Sequence, residues 1–262
     1  MASHKQTTPG DPLRDTRPAA SEGFPRLDPD AVRIRTLRWR PFLSNLLRSF
    51  SSVIPVSTWY TREVMARVHE ETSDARLKEM TAEYLERTAL HMELHGQWNE
   101  LVGNDAHDEY VFHVNDDLHR FFASYLNDPT VAMPHRVYGL VLAGSISRVM
   151  CLWVEKLVGK MGPEERRLWT WQVRDESGFR QSGLWLRLRA AYPGVGIFAR
   201  WMNIWGCTYF WWTTFVRALY YSVRDRSIFN PLFAIDLCRF IISPRKGLPR
   251  LLYWLLTAKA DS

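Results

Sequence analysis

Apolar side chains return along this chain at intervals of three and four, and no stretch alternates convincingly every second residue. That period belongs to helices, so the pattern predicts an all-α protein. Ser57 to about Glu71 reads as one helix. Ser73 offers an N-cap for a long second helix that ends near Val102. Further periodic stretches run over about His113–Leu126, His135–Lys160, Pro163–Ala191, Gly196–Val223 and Asn230–Ile242. Pro163 suits a first helical position, and Glu164 and Glu165 suit the positive end of a helix dipole. Val32–Ile54 is expected to be an irregular or partly helical basic arm that stops at Pro55, and residues 1–30, rich in Pro, Ser, Thr and charge, to be a mobile tail. Residues 31–262 are then one helical-bundle domain.

The faces of three helices carry polar residues where apolar ones are expected. On the second helix the stripe 77, 80, 84, 88, 91, 95, 98, 102 reads Leu, Met, Tyr, Thr, His, His, Trp, Val. His91 and His95 therefore face the core with Thr88, and Glu86, Glu93 and Glu100 face away. Burying two imidazoles is costly unless each finds a partner. The stripe 168, 171, 175, 179, 182, 186 reads Leu, Trp, Asp, Phe, Ser, Leu and centres on Asp175. Between them, 137, 140, 144, 147, 151, 154, 158 reads Val, Leu, Gly, Ser, Cys, Val, Val, with room at Gly144 and Ser147. The three faces predict a polar pocket of Thr88, His91, His95, Ser147 and Asp175 walled by aromatics. The plainer alternative is two histidines and an aspartate hydrogen-bonded across a solid core.

Charge divides the chain. From Arg180 onward there are 12 Lys/Arg against three Asp/Glu, a net +9, whereas residues 1–179 hold 22 against 25, a net −3. Nine of the twelve tryptophans lie at or after Trp153. The basic residues are single arginines set in apolar helix, without a Lys/Arg-rich run or zinc-finger spacing, so no nucleic-acid partner is expected. They are read as snorkelling arginines at a bundle rim, with peripheral membrane contact through the basic aromatic C-terminal half as the alternative. The uncharged run Trp201–Val216 is 16 residues, short of the roughly 20 a bilayer needs, and is expected to be a buried core helix. Cys151, Cys207 and Cys238 are odd in number and far apart. They point to a reducing, cytoplasmic setting, membrane-peripheral if the alternative holds.

Three stretches resemble motifs of the bacterial family of predicted metal-dependent hydrolases, a ferritin-like group, and the likeness runs from about Val32 to the C-terminus. The family's S-x-x-F-P-x-G-E-R-F-F is similar to SSVIPVSTWYT, Ser51 to Thr61. Its F-I-x-Q-E-A-x-H-x-x-x-H is similar to Tyr84–His95, and its W-H-x-x-E-E-x-E-H-K to WQVRDESGFR, Trp171 to Arg180. The resemblance implies a ferritin-like bundle with extra C-terminal helices. It also implies that most di-metal ligands have been substituted. The family's glutamates fall on Thr58 and Thr88, its first histidine of the third motif on Gln172, and its final Glu-His on Gly178 and Phe179. A Glu-His pair of the preceding helix falls near Ser147 and Arg148. His91, His95, Asp175 and Glu176 survive. All eight histidines lie at or before His135, so the second half of the bundle offers none to a two-metal centre.

Other motifs fail residue by residue. HMELH places its acid at Glu93, away from both histidines, so it is not H-E-x-x-H. NDDLHR has Arg120 where a diphosphate motif needs another Asp, and Walker, G-x-G-x-x-G and G-x-S-x-G patterns are absent. The expectation is a metal-independent cyclase or isomerase, with no cofactor, acting on a hydrophobic small molecule of the terpenoid or polyene kind. Asp175 is its acid, His91 its base and His95 the orienting partner, with Thr58, Thr88, Ser147, Trp171, Glu176 and Phe179 around the substrate. Two alternatives stand beside it. One is a hydrolase or non-haem iron oxygenase holding iron or another divalent transition metal on His91, His95, Asp175 and Glu176. The other is a non-catalytic partner or membrane-surface protein.

Overall fold

The computed structural model describes residues 26–30, 37, 39–102, 109–181, 183–243 and 249. Its elements are α1 (Pro41–Glu71), α2 (Ala75–Leu101), α3 (Glu109–Asn127), α4 (Met133–Val158), α5 (Pro163–Gln181), α6 (Leu184–Ala191), α7 (Ile197–Arg224) and α8 (Pro231–Ile242). A single 3-10 turn, Ser227–Phe229, precedes α8. Among the described residues there is no strand, so the protein is all-α. The expected mobile tail falls largely on residues 1–25, outside the described residues. Residues 26–30 are tied down, with Asp28 N–H donating to Glu164 Oε2 (2.9 Å) and Arg167 to the Arg26 carbonyl (3.0 Å).

The apolar mass is divided into two clusters. One gathers the first half of α1, the end of α2, the end of α4, the start of α5 and parts of α7 and α8, around Phe42, Leu47, Trp98, Trp153 and Trp169. The other gathers the second half of α1, the starts of α2 and α4, and α6, around Val64, Met65, Met80, Leu140 and Leu188. Helices α1 and α2 thus run in opposite directions between the clusters, α4 parallels α2, and α5 followed by α6 returns in the direction of α1, packed on α4 and α2. The level between the two clusters is where the polar stripe residues meet.

Helix α1 overturns the expected arm. It passes through Pro55 without ending. Proline has no N–H to give the carbonyl four residues earlier, and that carbonyl, on Ser51, instead accepts from Asn99 Nδ2 of α2 at 3.1 Å. Arg40, in the N-cap position, offers no side-chain cap to α1. Buried Asp236 of α8 does so across the fold, accepting from the Leu43 amide (3.0 Å) and from the Arg40 guanidinium. The cap of α2 is Asp74 rather than Ser73, accepting from the amides of Arg76 (2.9 Å) and Leu77 (3.1 Å). The expected single helix Pro163–Ala191 is two helices, because Gly183 takes φ 74°, a left-handed value at which glycine is at ease. Leu186, expected on the buried face, is consequently exposed.

Two readings of the C-terminal half also change. Arg217 is fully buried rather than snorkelling, donating Nη1 to Ser52 Oγ (2.8 Å) and Asn115 Oδ1 (2.9 Å). Helix α7 is not a buried core helix, since Trp201, Trp205, Tyr209 and Trp212 are exposed along it. Among the described residues, α4 alone is long and apolar enough to cross a membrane. Its mean hydropathy is 1.7 over the most apolar window, and 56% of that window is buried inside the protein.

Candidate functional site

Between the two clusters lies a cavity of about 320 Å³, floored by α1, α2, α4 and α5 and closed by α3, Trp185 of α6 and Gly206 of α7. Its walls are mostly apolar and aromatic. The polar groups that line it include Thr58, Thr61, Tyr84, Thr88, His91, Ser147, Gln172 and Glu176. Gly144 is part of the wall for a steric reason, since a Cβ there would stand 2.8 Å from the Trp185 indole.

His91 is fixed from behind. Its Nε2 hydrogen bonds to Asp175 Oδ2, while Asp175 Oδ1 accepts from the Arg87 guanidinium. The Trp171 ring stands edge-on to His91, 5.0 Å away between centroids. Burial alone would push Asp175 up. The His91 hydrogen bond and charge, with the Arg87 guanidinium, outweigh it and hold the carboxyl below the ordinary carboxylate range. An ionised Asp175 accepts the Nε2 proton, so the His91 lone pair lies on Nδ1, which makes no hydrogen bond among the described residues.

Glu176 has the opposite setting. It is half-buried between the cavity and the outside, and desolvation by the surrounding protein pushes its carboxyl up. The charge of His91 and the Ser147 hydroxyl, which donates to Oε1 at 2.9 Å, oppose that rise, and Asp175 adds to it. Glu176 also borders a second, outer groove of about 530 Å³ with Arg148, Cys151, Glu155 and Arg174. Burial likewise keeps the Tyr84 phenol and the Cys151 thiol in their protonated forms.

The expected site residues separate into two groups. Thr58, Thr88, His91, Ser147 and Glu176 come together on the cavity wall. Asp175 stands behind His91, and Trp171 packs on His91 without being part of the wall. The Phe179 side chain lies outside the described residues. His95 does not orient His91. Its Nδ1 accepts from Ser51 Oγ (2.7 Å) and its Nε2 donates to Gln172 Oε1 (3.3 Å), with Trp169 edge-on at 5.3 Å. Burial, helped by the charge of His91, lowers the His95 imidazole to about 3, so it is neutral at any working pH and acts on the cavity only by positioning Gln172. Asp175, held ionised, has no proton to donate, which removes it from the acid role assigned from sequence.

Two participants were missed. Arg87 is four residues before His91 on the same helix face, and that spacing was the available signal. Gln172, read only as a substituted ligand, lines the cavity and accepts the His95 proton. Among the described residues, no group of three or more His, Cys, Asp or Glu side chains is gathered as a metal site would require. The two imidazoles instead direct their Nε2 atoms to different partners, Asp175 and Gln172. No protein-family model, curated protein or solved structure matches the chain, so the likeness to the predicted metal-dependent hydrolases rests on the three short motifs alone.

Proposed function

We propose that the protein is a metal-independent acid–base enzyme, an isomerase or cyclase, acting on a compact hydrophobic molecule of the terpenoid or polyene kind. The observation that carries this reading is one largely apolar cavity bordered by a carboxyl raised by burial and by an imidazole backed by an ionised aspartate. Its volume of about 320 Å³ is at the small end of ligand sites. A carboxyl raised by burial beside an imidazole backed by a carboxylate is suited to paired proton transfer. Glu176 takes the acid role and His91 the base role. Asp175 orients His91 and stabilises its imidazolium, as an aspartate does behind a catalytic histidine.

The proton count balances without an oxidant. His91 Nδ1 removes a proton from an allylic carbon, and the C–H electron pair becomes the new double bond. The old double bond's pair takes the Glu176 proton at the far carbon. Glu176 is left a carboxylate and His91 an imidazolium, and both are reset by exchange with water. Desolvation in the apolar cavity raises the Glu176 carboxyl toward the working pH. The reading extends to the fold as a ferritin-like bundle whose metal waist has become a binding cavity. Its support is that the surviving motif residues on α2 and α5 meet midway along the bundle.

The test is solvent exchange. Purified protein is incubated in D₂O with a panel of hydrophobic polyenes and terpenoids, and the products are examined by mass spectrometry. Deuterium incorporation or an isomerised product is expected for the wild type. Both signals should fall by about a hundredfold or more in Glu176→Gln and in His91→Ala. Full activity in a Glu176→Gln, His91→Ala double variant overturns the assignment, and activity that appears only with stoichiometric iron favours the metal-dependent alternative.

A further inference from the structure

Five large aromatic side chains on α7 are exposed among the described residues. Phe198 is 76% exposed, Trp205 67% and Trp212 63%, and Trp201 and Tyr209 stand between them. Their spacings of three and four residues place them on one face, over a length of about 21 Å. The opposite face buries Thr214, Arg217 and Ala218 against the core. Contiguous exposed apolar surface on this scale marks a contact site.

The residue types say which kind. Indoles and phenols join an apolar body to a polar edge and favour the boundary between lipid and water. Helix α7 has no acidic residue at all. Its charged side chains are Arg200, Arg217 and Arg224, of which Arg200 and Arg224 are exposed. Residues 183–243 contain two acids, and one of them, Asp236, is buried at the start of α1. Two copies of this chain would bring like charges together, whereas an anionic surface is complementary to it. Because one side of α7 is packed on the bundle, the helix can lie in a membrane surface but not cross it.

We propose that the exposed aromatic face of α7 seats the protein on the surface of an anionic phospholipid bilayer. The placement brings a second feature to the membrane. Gly206 of α7 borders the cavity, and Phe121, exposed on α3 and also bordering it, meets the ring of Tyr209 at 6.0 Å. The cavity therefore reaches the edge of the same face, where a hydrophobic molecule dissolved in lipid can pass without crossing water. Membrane seating stands independently of the acid–base reading.

The full chain is co-sedimented with vesicles of phosphatidylcholine alone and of phosphatidylcholine mixed with phosphatidylserine. Binding is expected on the anionic vesicles, with partition falling about tenfold or more in Trp201→Ser, Trp205→Ser, Trp212→Ser, since three indoles no longer leave water. Far-UV circular dichroism checks that the triple variant is folded. Arg200→Gln, a milder change at an exposed site, should weaken partition about fivefold on anionic vesicles only. Partition that is absent on both vesicles, or unchanged in both variants, overturns the proposal. So does an analytical-ultracentrifugation dimer that the triple variant dissolves while lipid partition stays the same, which would assign the face to a second copy.

Discussion

Replacing His95 by glutamine should flatten the acid sensitivity of the fold. In the native protein this imidazole falls from its ordinary 6.5 to about 3, because burial and the charge of His91 disfavour its protonated form. Between those values the unfolded chain binds a proton that the folded chain refuses. Stability therefore rises with pH across this window and is lost as the pH drops below about 6.5. Acidification from pH 7 to pH 5 should cost about 2 kcal/mol through this group alone, or roughly 4–8 °C in Tm for a chain of this size. Glu176 works the other way. Its folded carboxyl is raised above 4.5, so its contribution is present at low pH and fades as the pH rises through the folded value. Asp175, being lowered, contributes stability that is present above its ordinary 3.8 and is lost only as the pH falls below it. Both groups remain in His95→Gln, so the difference between the two proteins isolates His95. The variant should lose about 1–3 kcal/mol at both pH values from the missing ring packing against Trp169. Its own pH 7 to pH 5 drop should be smaller than that of the wild type by about 2 kcal/mol. Urea unfolding at the two pH values measures this. Equal drops in wild type and variant would refute the claim that His95 is buried in its neutral form.

Three further substitutions test the construction of the site. Asn99→Leu leaves the Ser51 carbonyl without its donor and should cost about 1–3 kcal/mol. Adding Pro55→Ala restores a backbone N–H at that place, so urea unfolding of the double variant should recover most of the loss, and simple additivity would exclude the substitution of one donor for another. Gly144→Ala forces its new Cβ onto the Trp185 indole, whose Cζ2 would be 2.8 Å away. It should destabilise by about 1–3 kcal/mol in thermal melts and weaken binding of any cavity ligand by isothermal calorimetry, whereas an unchanged Tm would show that the indole moves aside freely.

The face of α2 was legible in the sequence because its period is local. All eight stripe positions from Leu77 to Val102 are buried. The start of α1 was not, because Pro55 is a helix breaker by every local rule and its rescue comes from Asn99, 44 positions away. The break between α5 and α6 did carry a signal in Gly183, overlooked because apolar spacing continues past it to Leu184 and Leu188. At the site, the spacing of His91, Ser147 and Asp175 placed them at one depth, but their protonation states depend on Arg87 and on cavity shape, which periodicity does not encode. Arg217 and three tryptophans of α7, Trp201, Trp205 and Trp212, exchanged expectations, the charge going inside and the rings outside. Composition counts both kinds of residue without saying which face each occupies.

The two apolar clusters bind the helices at either end, and the level between them is held mainly by polar contacts such as Ser147 to Glu176 and His91 to Asp175. The middle is not separate from the ends, since His95 packs on Trp169 of one cluster and Gly144 lies under Trp185, which packs against the other. Loss of one member of either polar pair leaves the other without its partner, so these positions are best changed two at a time.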